Sequence, residues 1–84
     1  MSLDYEVGIG IESKERLVNL VEKHNGNGLF DLDFSRALKD APDDDKYPQM
    51  LTFDIPACPI GFSVYSAQLR KIVDDGYTVQ VKKN

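Results

Sequence analysis

The chain has 84 residues, 42% hydrophobic and 29% charged, with a formal net charge of −4. That length holds one small domain over residues 1–84, and the apolar content excludes a disordered polymer. An acidic surface repels phosphate backbones, which argues against direct nucleic-acid binding and for a basic protein partner. The single cysteine, Cys58, allows no internal disulfide, and so small a domain without staples fits a reducing, cytoplasmic setting. No apolar run approaches the roughly 20 residues of a membrane span, so no membrane contact is expected. The start, Met1 to Glu6, is neither basic nor continuously apolar and does not read as a signal peptide.

The first predicted strand is the clearest element. Tyr5, Val7, Ile9 and Ile11 alternate with Glu6, Gly8, Gly10 and Glu12, a period of two with one apolar face. Ser13 then offers a helix N-cap, with Glu15 in the first turn. Leu17, Leu20, Val21 and His24 fall on one helical stripe, widened by Val18. Asn25-Gly26-Asn27-Gly28 ends this helix, since Asn and Gly tolerate the left-handed conformation of a C-cap.

A second strand is predicted with Phe30, Leu32 and Phe34 inward and Asp31, Asp33 and Ser35 outward. The stretch Ser35 to Asp40 reads either as its continuation or as a short helix. Prolines 42 and 48 and the acids between them mark a loop. The third strand sets Leu51, Phe53 and Ile55 against Met50, Thr52 and Asp54. Pro56 to Phe62 is a stiff connector, and Ser63 is placed to cap a second helix with Tyr65, Leu69, Ile72 and Val73 on its buried stripe. Gly76 stops that helix, and Tyr77, Val79 and Val81 alternate with Thr78, Gln80 and Lys82 in a last strand.

This order of strand, helix, strand, strand, helix, strand is the α+β, ferredoxin-like βαββαβ plan. It is a two-layer sandwich: an antiparallel sheet in the order 4-1-3-2 with two helices on one face, placed there by right-handed crossovers. An architecture that hosts many functions carries none by itself.

The open face of that sheet is the candidate site. Its outward set gathers Glu6, Glu12, Asp31, Asp33 and Asp54 around the bare strip of Gly8 and Gly10. A basic protein surface suits such a face, with long cationic side chains crossing the glycines. A hard cation also wants oxygen ligands, but no calcium-loop spacing is present and no metal site is assigned. RNA recognition on this face needs aromatic residues in a basic field, and Tyr5, Phe30, Phe34 and Phe53 all share the opposite parity. Gly8-Ile9-Gly10 resembles the start of a dinucleotide fingerprint, but Ser13 stands at its third small position and both glycines fall inside the strand.

Cys58 precedes the second helix, where a helix N-terminus lowers a thiol pKa. The one histidine, His24, is placed at the opposite edge of the sheet, so both read as structural rather than catalytic. Asp74 and Asp75 stand at a helix C-terminus, where the dipole disfavours them, and read as solvated residues before a turn. No catalytic residue and no cofactor are assigned. The expectation is a small cytoplasmic protein-interaction module that docks a partner through its acidic sheet face, with a lean toward a homodimer through an edge strand. The alternatives are a small-molecule or metal-binding regulatory domain, an acidic inhibitor of a nucleic-acid-binding protein, and a small enzyme using Cys58.

Overall fold

The computed structural model describes residues 4–27, 31–56 and 62–83. Three strands, β1 (Asp4–Ile11), β2 (Gln49–Pro56) and β3 (Val79–Lys83), form one antiparallel sheet in the order β2-β1-β3. The helices are α1 (Lys14–His24), the short α2 (Ser35–Lys39) and α3 (Ser66–Asp74). No described helix is long and apolar enough to cross a membrane.

The alternation in β1 decides the layering. Val7, Ile9 and Ile11 are at most 1% exposed and pack with Leu17 and Leu20 of α1, Leu69 and Ile72 of α3, and Ile55 of β2. Thr52, Asp54, Gln80 and Lys82 lie exposed on the other face. The register predicted for the third strand therefore holds, although Phe53 is only half-buried and rests edge-to-face on Phe34 at 5.3 Å.

Helix α1 begins as the sequence indicates. The Ser13 side chain accepts the Arg16 N–H at 3.2 Å, the expected N-cap bond. Its end differs from expectation. Asn25 is extended rather than left-handed, and its side-chain oxygen accepts the Phe34 N–H. Gly26 is required by proximity, not by a left-handed backbone: a Cβ there would collide with Asp31 and the Leu32 carbonyl.

The second predicted strand is not formed at Asp31–Phe34. Its alternation of burial is present, with Leu32 and Phe34 buried and Asp33 exposed. What is missing is a strand partner. The Gln68 side chain of α3 takes that place: its oxygen accepts the Leu32 N–H at 2.7 Å and its nitrogen donates to the Leu32 carbonyl at 2.9 Å. The Gly26 N–H meets the same carbonyl at 2.9 Å. Asp33 then accepts both the N–H and the hydroxyl of Ser35, and the chain turns into α2 instead of continuing extended. The self-association expected on that second strand thus has no strand edge at Asp31–Phe34; among the described residues β2 and β3 are the outer strands of the sheet.

Helix α3 opens with a 3-10 turn at Phe62–Tyr65. It closes in a Schellman motif: the Tyr77 N–H reaches the Ile72 carbonyl, the Gly76 N–H reaches that of Val73, and Gly76 has φ 92°. Tyr77 and Ile72, the apolar pair of that motif, are both buried. Two residues predicted to be buried stay about half exposed: Val73 is 51% and Val81 46% exposed, although Val81 stands opposite Val7 on the helix side of the sheet, because no described element lies beyond the β3 edge. Phe30 and Cys58, and the side chain of Ser63, lie outside what the structure describes.

Replacing Gln68 by Leu keeps bulk but leaves the buried Leu32 N–H without an acceptor. Urea denaturation of Gln68→Leu should show a loss of about 1–3 kcal/mol, the cost of one orphaned buried donor.

Candidate functional site

The sheet face opposite the helices is built from three cross-strand rows. Asp54, Glu6 and Lys82 form one; Thr52, Gly8 and Gln80 the next. Met50, Gly10 and Thr78 form the third, closed by the Gly10 N–H donating to the Thr78 carbonyl at 2.8 Å. Side chains are thus missing along the centre of the face while the flanks are populated. Met50 uses that space: its Sδ lies 2.9 Å from where a Gly8 Cβ would stand, so Gly8 is buried under it. Over Gly10 the strip remains open, and a Cβ there would make only ordinary contact with Thr78 at 3.5 Å. The result is a shallow hollow of about 390 Å³, with walls from Met50, Pro48 and Thr78 and with Glu12 among its lining residues.

Of the residues expected on this face, Glu6, Gly8, Gly10, Glu12 and Asp54 are brought together on it or at its end. Asp31 and Asp33 are not, because the segment carrying them is not a strand of the sheet. Asp33 is committed to Ser35, whose hydroxyl and amide hold its carboxyl below the usual range. Asp31 lines a separate small hollow with Lys23, Lys71 and Gln68. The charge row is also compensated on one side, since Lys82 stands opposite Glu6. The face is less acidic than strand parity implies, and its distinguishing feature is the Gly10 hollow. Sequence reasoning missed the cover that Met50 provides, although its position beside Gly10 follows from the register once β1 and β2 are aligned.

A second polar cluster joins α1 to the end of α3. Asp75 Oδ2 accepts from Asn19 Nδ2 and meets His24 Nε2, both at 3.0 Å. The Arg16 guanidinium donates to the Asp75 carbonyl at 2.8 Å and lies 3.8 Å from the Tyr77 ring centre. The Tyr77 hydroxyl donates to the Arg16 carbonyl at 2.6 Å and receives a bond from Asn19 at 2.7 Å. These groups satisfy one another, so the cluster acts as a clasp at the foot of the two helices. Asp75 is therefore not a solvated residue before a turn. The hydrogen bond from His24, followed by that from Asn19, holds its carboxyl below the ordinary value.

Both glycines lie within β1, so no turn forms there to cradle a phosphate. Among the described residues no group of three or more His, Cys, Asp or Glu side chains is placed to hold a metal ion. The chain matches no protein-family model, and comparison with curated proteins and with solved structures found no match.

Gly10→Ala should fold normally with a small gain, about 0.4–1 kcal/mol in urea, from lost unfolded-state freedom. Gly8→Ala should displace Met50, read as a shift of the Met50 methyl signal in NMR spectra that Gly10→Ala does not produce. The clasp has a pH signature. A lowered carboxyl pKa contributes stability that is present above the unfolded value, about 3.9, and is lost as pH falls through the folded one. Thermal melts should therefore decline below about pH 4, and Asp75→Asn should flatten that decline while lowering stability at neutral pH.

Proposed function

We propose that this chain is a non-catalytic protein-interaction module that docks a basic partner on the sheet face opposite its helices, with the hollow at Gly10 as the anchor. The observation that carries this reading is the unfilled strip over Gly10, walled by Met50 and Thr78 and carrying Glu12 among its lining groups. A lysine or arginine side chain has an apolar stem and a charged head. The stem fits along Gly10 and Met50, and the head meets the Glu12 carboxylate. Glu6 and Asp54 on the neighbouring row add attraction for further basic residues. Met50 suits such contact, because an unbranched thioether repacks around different side chains.

The order β2-β1-β3 is the order that the βαββαβ plan gives its third, first and fourth strands. This supports reading the chain as a ferredoxin-like sandwich whose second strand is replaced by an irregular segment. Such a sandwich leaves one sheet face uncovered for docking.

The test uses isotope-labelled protein titrated with an acetylated Lys-Ala-Lys-Ala-Lys amide at low salt. Amide shifts should centre on Gly8, Gly10, Met50 and Thr78. Glu12→Gln should weaken binding about tenfold, and Gly10→Leu, which fills the hollow, should abolish the shifts. Shifts centred elsewhere, or binding indifferent to both substitutions, would overturn the reading.

A further inference from the structure

Three large hydrophobic side chains are exposed among the described residues: Met50, Val73 and Val81. Met50 belongs to the Gly10 hollow. The other two line a separate groove of about 330 Å³ between α3 and the edge strand β3, together with Leu69, Arg70, Asp74 and Val79. Among the described residues strand β3 pairs only with β1. Alternate residues of an edge strand turn their N–H and C=O groups outward, and no described residue pairs with those of β3. The β2 edge also has no strand partner among the described residues, but there Phe34 packs on Phe53, so the side chain beside that edge is already covered.

We infer that the β3 edge and its groove accept an extended acidic segment of a partner protein, which adds to the sheet as a further strand. An open backbone edge beside an apolar groove is the arrangement of β-strand addition: main-chain bonds give affinity, and pockets for alternate side chains give selectivity. Alternate apolar residues of the segment settle between Val73 and Val81. Charge selects the occupant. Lys82 and Lys83 lie on β3, and Arg70 lines the groove. A second copy presenting its own β3 would add two more lysines to the same edge, and edge lysines oppose self-pairing. Acidic residues are attracted instead, at the Lys83 end, while Asp74 beside Val79 sets the polarity of the segment. This surface is separate from the Gly10 hollow and stands whether or not that face is used.

The probe is a fluorescein-labelled Val-Glu-Val-Glu-Val-Glu amide, followed by anisotropy with the full chain. Saturable binding is expected, with slowed amide exchange over Val79 to Lys82. Both the double variant Lys82→Glu/Lys83→Glu and, separately, Val81→Asp should weaken it about tenfold or more. Val81 is 46% exposed, so its replacement leaves the core intact, as circular dichroism checks. A peptide N-methylated at alternate residues, unable to donate ladder bonds, should not bind. The inference fails if the labelled peptide does not bind. It also fails if a Val-Lys peptide binds as tightly, if N-methylation is without effect, or if sedimentation shows a dimer that Val81→Asp dissociates.

Discussion

Strand β1 is hydrogen-bonded along both of its edges, and the rest of the molecule is arranged about that fact. With three strands in the sheet among the described residues, it is the interior one. It must therefore bury its apolar side chains against the helices and leave its backbone free to pair on both sides. Val7, Ile9 and Ile11 meet the first demand, each removing a branched side chain from water for about 1.5–3 kcal/mol. Gly8 and Gly10 put almost no side-chain mass on the other face. One strand thus has a packed side and an approachable side, and the asymmetry is written in alternate residues.

The region after α1 shows how a side chain can stand in for a strand. A peptide group and a primary amide offer the same donor and acceptor, so Gln68 pairs with Leu32 much as a neighbouring strand would. Asn25 does similar duty for Phe34. These bonds tie the segment to the two main helices rather than to the sheet. Leu32 and Phe34 reach the core, while β2 keeps its outer edge free of a strand partner among the described residues.

Much of the fold was legible because period and capping are local. The β1 face, the Ser13 cap, the inward residues of α1 and the Gly76 stop all follow from neighbouring residues alone. The second strand misled for a physical reason. Period-two burial reports which side chains face inward and is silent on what the backbone bonds to, and here the bonding partner lies 36 positions along the chain. The candidate site suffered in the same way, since Asp31 and Asp33 were placed by strand parity. Asp75 looked unfavourable at its helix end because its partners, Asn19 and His24, come from another helix. The exposure of Val73 and Val81 depends on where the described sheet stops, which no local pattern records.

The pairing of Tyr5 with both Ile55 and Lys83 has a consequence for how the chain reaches this state. Both partners of β1 come much later in sequence, so its ladders close only after long loops have been drawn together. Such non-local topologies fold slowly for their size. Until then β1 waits as an unpaired strand whose Val7, Ile9 and Ile11 would readily pair with those of another molecule. Asp4, Glu6 and Glu12 bracket that run with like charge, and two glycines lower its appetite for β-structure. The residues that leave the finished sheet face bare are also the ones that keep the unfinished strand from finding the wrong partner.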